Sequence, residues 1–112
     1  MNKSIEAEVM QFHAEICSGL ADPVRLMIIY ELGEGPRNVN ELVLALDMSQ
    51  PMISRHLKLL RDRGLVTKER QGNSMLYSLV DSRLIHALNE LRLVMRDIIT
   101  KRSAIIEALS KD

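Results

Sequence analysis

The sequence predicts one mainly α-helical domain that carries a small β-hairpin. The chain has 112 residues, which suits a single domain with a modest core. Hydrophobic residues make up 46% and aromatic residues only 3%, so the core must be built from leucine, isoleucine, valine and seven methionines, which favours helices. Most of the chain has apolar residues at helical spacing. One stretch around a Gly-Asn pair instead alternates apolar and polar residues, which predicts the hairpin.

The first and last helices are expected to pair with a second copy of the chain. The first helix is predicted over residues 4–19, with one apolar stripe: Val9, Phe12, Ile16 and Leu20. The last helix begins near Asp81 or Ser82 and carries a stripe about 25 residues long: Leu84, Leu88, Leu91, Met95, Ile98, Ile105 and Leu109. A small core cannot cover so long a stripe, so a homodimer is the simplest arrangement.

Two further helices are predicted from start and stop signals in the N-terminal half. Asp22 can cap a helix that has Pro23 in its first turn and ends near Gly33, where "GEGP" breaks the chain. Asn38 and Glu41 resemble a capping box that opens a short helix over "VNELVLAL".

The middle of the chain predicts a helix-turn-helix unit followed by the hairpin. Ser49 can cap a helix with Pro51 in its first turn and Gly64 at its end. Its buried stripe comprises Ile53, Leu57 and Leu60. Together with the short helix before it, joined by about four residues, it forms the helix-turn-helix. The segments "LVTKER" and "SMLYSL" alternate as paired strands do, and Gly72 can adopt the positive φ of the turn.

Positive charge is concentrated in this middle segment although the whole chain is neutral. Residues 1–48 hold three basic and eight acidic residues, a net charge of −5, whereas residues 49–78 hold six basic and two acidic residues, a net charge of +4. Gln50, Ser54 and Lys58 fall near one helix face with Arg55 beside it, a set able to meet DNA bases and phosphates. The alternative is a solvated basic face.

Three segments resemble the ArsR/SmtB family of winged helix-turn-helix repressors: "ADPVRLMII", "SQPMISRHLKLLRDRGLV" and "RQGNSMLYSL". The resemblance covers about residues 14 to 97. It implies a cytoplasmic homodimer that binds a palindromic operator in double-stranded DNA and releases it when an inducer, usually a metal ion or metalloid, binds.

The resemblance also divides the single domain, residues 1–112, by role. It implies a recognition helix at about residues 49–63, a wing at about 65–79 and a dimerisation helix at about 82–110. The candidate DNA-binding residues lie on the recognition helix and the wing: Ser49, Gln50, Ser54, Arg55, His56, Lys58, Lys68, Arg70 and Asn73.

The metal sites of the family are incomplete in this sequence, so no cofactor is predicted. Zinc-responsive members use acids and histidines of the last helix; Asp81 and Asp97 match the acids, but Arg83 and Val94 occupy the histidine positions. Asp81 is therefore interpreted as a helix cap and Asp97 as a surface or interface acid. The thiolate cluster of arsenic-responsive members is replaced by Asn38, Asn40 and Val43.

One other ligand set is conceivable on the first helix. Met10, His13 and Cys17 stand at helical spacing, and a thioether, an imidazole and a thiol suit a soft ion. The alternative is a half-buried packing face. Cys17 could instead sense oxidants or persulfides, although its acidic and apolar neighbours favour an inert thiol. His86 is interpreted as a packing histidine.

These observations predict a DNA-binding transcriptional repressor, with an unidentified effector. A dimeric helical interaction module without a DNA role is the alternative. No triad order, paired carboxylates or phosphate-binding glycine loop indicates an enzyme. The single cysteine, the absence of a secretory apolar segment at the N-terminus and the short apolar runs are expected of a cytoplasmic protein with no membrane association.

Overall fold

A computed structural model describes residues 1–111, and Asp112, the last residue of the predicted domain, lies outside them. The mainly helical fold with a β-hairpin is confirmed. The elements in chain order are α1 (Lys3–Phe12), a π-helical turn (His13–Cys17), α2 (Ser18–Leu20), α3 (Pro23–Gly33), α4 (Val39–Leu46), α5 (Gln50–Asp62), β1 (Val66–Gln71), β2 (Ser74–Leu79) and α6 (Arg83–Leu109). The chain forms two compact units, residues 1–82 and the part beginning at Arg83.

The first helical segment, residues 3–20, is not the regular α-helix that its apolar spacing predicts. The N–H of Ser18 donates to the carbonyl oxygen of His13, five residues back, so residues 13–17 form a π turn. The predicted apolar stripe is only partly covered within the protomer: Ile16 and Leu20 are half-buried, whereas Val9 is 50% and Phe12 is 55% exposed.

The predicted caps of α3 and α4 are confirmed. Oδ1 of Asp22 accepts hydrogen bonds from the N–H groups of Val24 at 2.8 Å and Arg25 at 3.2 Å. Asn38 and Glu41 form the reciprocal capping box of α4, with distances of 2.8 and 3.0 Å. These bonds satisfy backbone donors that the first helical turn leaves unpaired, and they fix where α3 and α4 begin.

The core of residues 1–82 is aliphatic and is centred on α3 and α5. The side chains with almost no solvent exposure are Ile28, Ile29, Leu42, Ile53, Leu57, Leu60 and Val66. The predicted stripe of α5 is thus wholly buried, so one face of this helix is committed to the core and the other is left to solvent.

The hairpin is a two-stranded antiparallel ribbon. Its register runs from Val66 opposite Leu79 to Gln71 opposite Ser74, and Gly72 adopts a φ of 61° in the two-residue turn, as predicted. At its base, Tyr77 exchanges two backbone hydrogen bonds with Arg37, at 2.8 and 3.1 Å. This bridge joins the hairpin to the loop before α4.

Helix α6 is 27 residues long and exposes much of its apolar surface. Leu91 is 65%, Ile98 44% and Ile105 60% exposed. Its stripe follows alternating spacings of four and three residues, with one arginine: Leu84, Leu88, Leu91, Met95, Ile98, Arg102, Ile105 and Leu109. Within residues 1–111, α6 and the other helices are too short or too polar to cross a membrane.

Candidate nucleic-acid interface

The solvent-facing side of α5 brings together four of the predicted site residues. Nε2 of Gln50 donates to Oγ of Ser54 at 3.3 Å, which places both side chains on the same face. Arg55 is exposed, and Nζ of Lys58 lies 3.1 Å from Oδ2 of Asp62 in an exposed ion pair. Exposed pairs of this kind contribute little to stability, so Lys58 can exchange Asp62 for another anion at small cost.

Ser49 is the N-cap residue of α5. Its hydroxyl accepts a hydrogen bond from the N–H of Met52 at 3.4 Å, and Pro51 occupies the first turn. The N-terminus of a helix attracts anions because its first N–H groups lack helical partners. Because Ser49 fixes where α5 begins, these N–H groups lie directly beside Gln50.

The three predicted wing residues are exposed and lie along the hairpin, from the middle of β1 to the turn. Lys68 and Arg70 stand two residues apart on β1, so their side chains project from the same face of the ribbon. Asn73 occupies the turn itself. The wing thus presents two cations and one amide to solvent.

His56 departs from the other eight predicted site residues, because its side chain is turned towards α3 and is only 12% exposed. Nη1 of Arg25 lies 3.3 Å from Nδ1 of His56. A guanidinium can only donate, so Nδ1 of His56 is the acceptor in this hydrogen bond. Nε2 lies 4.0 Å from Oδ1 of Asp22, too far for a hydrogen bond. This position favours a structural role, and contact of His56 with DNA stays a prediction.

The sequence contains a signal for this inward position. His56 follows the buried Ile53 by three residues and precedes the buried Leu60 by four, so it shares the core-facing side of the helix. Arg55, one residue earlier, is rotated away from that side and reaches solvent.

Asp22 carries the carboxylate of this cluster. Burial acts to raise the pKa of its carboxyl group, but hydrogen bonds from the backbone N–H groups of Arg25 and Val24, together with the electrostatic effect of the nearby His56 and Arg25 side chains, outweigh that effect. The pKa therefore lies below the ordinary value of 3.8, and the ionised form holds the start of α3 at neutral pH.

An open cleft beside the wing was not predicted from the sequence. It has a volume of about 250 Å³ and is lined by Asn38, Val39, Asn40, Asn73, Ser74 and Met75. Only the fold brings the start of α4 next to the hairpin turn, because the two segments are far apart in the sequence.

The predicted soft-ligand set of the first helical segment is altered by the π turn. Met10 is 67% exposed and Cys17 is half-buried. A π turn takes more residues than an α turn, so Cys17 is rotated relative to His13 compared with the expected α-helix. Among residues 1–111, no group of three histidine, cysteine or acidic side chains is arranged to hold a metal ion. Metal binding by Met10, His13 and Cys17 stays an untested alternative.

The sequence of this chain is similar to a family of known bacterial regulators. Residues 22–68 match the family model of bacterial regulatory proteins of the arsR family. The chain is 46% identical over 79 residues to the HTH-type transcriptional repressor SmtB of Mycobacterium tuberculosis, a match covering 70% of this chain and 58% of that protein. The chain thus spans less than two thirds of that relative's length.

A second relative is matched over more of its length. The HTH-type transcriptional regulator CmtR of Mycobacterium bovis is 34% identical over 94 residues, which cover 84% of this chain and 80% of that protein. The fold is shared with a homodimeric winged helix-turn-helix DNA-binding domain from Mycobacterium bovis, with a TM-score of 0.75 at 24% identity over 88% of this chain and 91% of that one. The chain belongs to the ArsR family of bacterial regulatory proteins.

Proposed function

We propose that this protein is a sequence-specific DNA-binding transcriptional repressor. The observation that carries the proposal is the division of α5: Ile53, Leu57 and Leu60 are 0% exposed, while the opposite side presents polar and cationic side chains. A helix anchored in this way can enter the major groove, where Gln50 and Arg55 meet base edges. Ser49, Ser54, Lys58 and the wing residues Lys68, Arg70 and Asn73 then contact the phosphate backbone.

The protein acts as a homodimer in this proposal. Val9 and Phe12 on α1 and the apolar stripe of α6 are exposed in the protomer, and burying them needs a partner surface. A two-fold symmetric dimer presents two α5 helices to successive major grooves about 34 Å apart. Its operator is therefore an inverted repeat.

An effector releases the repressor from its operator in this proposal. Release requires that the effector bind the DNA-free state more tightly than the DNA-bound state. Its chemical class is left open, because the family's thiolate and zinc positions are occupied by residues that do not complete either site.

Selection from a pool of random DNA duplexes tests the proposal without a known operator. The purified protein is incubated with the pool at about 0.15 M salt, and bound duplexes are recovered and sequenced. The proposal expects enrichment of one inverted repeat. Recovery of no common sequence by a folded protein contradicts it and leaves the interaction module as the alternative.

A further inference from the structure

A polar connection joins the end of α5 to the first helical segment. Arg63 caps the C-terminus of α5, yet its guanidinium is directed away from the solvent-facing side of that helix. Its Nη1 donates to the hydroxyl of Ser18 at 2.6 Å and to the carbonyl oxygen of Ala14. The Ser18 hydroxyl donates to the same Ala14 carbonyl, so the three groups form a closed set.

The π turn explains why the Ala14 carbonyl receives these donors. In a regular α-helix the N–H of Ser18 would donate to Ala14, but here it donates to His13. The Ser18 hydroxyl and the Arg63 guanidinium both donate to Ala14. A local irregularity of the first helical segment thus creates the acceptor that Arg63 uses.

A second connection reaches the same segment through Arg25. Its Nε donates to the carbonyl oxygen of Gly19 at 2.7 Å, and its Nη2 donates to that of Ser18 at 3.3 Å. The remaining nitrogen, Nη1, donates to His56 in the middle of α5. One arginine therefore ties the end of the first helical segment to α5.

The segment and the end of α5 also approach closely at a glycine. A Cβ atom on Gly19 would lie 3.0 Å from Cδ1 of Leu65 and 3.5 Å from Cγ of Arg63. The missing side chain lets the segment pack closely against Arg63 and Leu65, beside the carbonyls of residues 18 and 19 that Arg25 holds.

We propose that Arg63 is a positioning residue: held by Ser18 and Ala14, it fixes the orientation of α5 for DNA without contacting DNA itself. Arg25 and His56 hold the middle of the same helix in the same way. The inference rests on the proposed function, but it differs from what the charge pattern indicates. By sequence, Arg63 is one of the six cations of the basic segment, although it is not among the candidate DNA-binding residues.

The salt dependence of DNA binding separates positioning from phosphate contact. Each phosphate contact contributes about 0.9 to the slope of log K against log salt for duplex DNA. Arg63→Gln should weaken binding of the selected duplex by about tenfold, because α5 loses charge-assisted hydrogen bonds, and should leave the slope unchanged. Arg70→Gln, on the exposed wing, is the matched control and should reduce the magnitude of the slope by about 1.8, because the homodimer loses one contact of about 0.9 in each protomer.

Ser18→Ala is a second variant that removes no charge. It should weaken binding in the same direction as Arg63→Gln, and the double variant should bind no worse than Arg63→Gln alone, because both changes break one set of contacts. Amide hydrogen exchange of the DNA-free variants provides a readout independent of DNA. Faster exchange is expected in residues 13–20 and at the C-terminal end of α5, with α3 unchanged.

Two results overturn the positioning role while leaving the proposed function intact. In the first, wild type selects a sequence, Arg63→Gln lowers the salt slope as Arg70→Gln does, and Ser18→Ala binds normally. In the second, neither Arg63→Gln nor Ser18→Ala alters affinity or exchange. A wild-type protein that selects no DNA sequence overturns the proposed function instead, and the exchange measurement still decides whether Arg63 and Ser18 hold α5.

Discussion

Nη1 of Arg25 donates to Nδ1 of His56 across 3.3 Å, and this bond joins α3 to the inner side of α5. The same guanidinium holds two carbonyls of the first helical segment, at residues 18 and 19. The polar face that α5 presents to solvent is therefore backed by an apolar stripe and by a polar cluster on its inner edge. The apolar stripe and the polar cluster together fix both the position of α5 and its rotation about its own axis.

Replacing His56 should affect folding stability first. His56→Leu removes the acceptor of a half-buried arginine donor and should lower the free energy of unfolding by about 1–2 kcal/mol. His56→Asn keeps an acceptor oxygen and should lose less. Urea unfolding of both variants provides the measurement. Equal stability of wild type and His56→Leu would contradict the structural role.

Asp22 should make stability depend on pH in the acid range. Its folded-state pKa lies below the ordinary value of 3.8, so the ionised form favours the folded state. That contribution is complete above the ordinary pKa and is lost as the pH falls through the folded-state pKa. Asp22→Asn keeps a capping oxygen but no charge. The difference in urea midpoint between wild type and Asp22→Asn should be largest near neutrality and shrink in acid; a constant difference would refute this account.

Gly64 should resist substitution for a backbone reason alone. It adopts a φ of 75° directly after α5, and a Cβ atom there would meet no atom within 4 Å. Gly64→Ala should therefore cost about 1 kcal/mol through the left-handed conformation, and Gly64→Asn less. Thermal unfolding distinguishes the two. If Gly64→Ala unfolds at the wild-type temperature, the conformation is not maintained in solution.

The proposed homodimer should depend on the stripe of α6. Ile98→Glu places a charge in the apolar stripe and should give a monomer in sedimentation equilibrium. Leu44→Glu is the control, because Leu44 is 83% exposed on α4, outside both predicted dimer helices. A monomeric wild type, or an Ile98→Glu variant that remains dimeric, would rule out this interface.

The helix caps, the hairpin turn and the buried stripe of α5 could be predicted because each depends on residues close together in the sequence. The caps at Asp22, Asn38 and Ser49 each depend on a side chain and on backbone groups within three residues, and the hairpin turn depends on the positive φ of Gly72. The buried stripe of α5 follows from helical periodicity. All of these can be inferred without knowledge of the tertiary structure.

Features that depend on contacts between distant segments were not predicted. The π turn shifts the acceptor of the Ser18 N–H from Ala14 to His13 and leaves the apolar spacing of the first helical segment nearly unaltered, so the sequence of residues 13–17 is typical of an ordinary helix. The inward direction of Arg63 depends on Ala14 and Ser18, more than forty residues earlier. Charge counting places Arg63 and Arg55 in the same basic segment, whereas the fold directs Arg63 to Ala14 and Ser18 and leaves Arg55 exposed.

The DNA affinity of Arg55→Ala tests the central claim most directly. Arg55 lies on the exposed side of α5, and losing a base contact should weaken binding of the selected duplex by on the order of tenfold or more. Lys111→Ala, which removes an exposed cation beyond α6, is the control and should bind within about twofold of wild type. Fluorescence anisotropy at fixed salt measures both. Loss of affinity in Arg55→Ala alone supports α5 as the recognition helix, and wild-type affinity in a folded Arg55→Ala variant would contradict it.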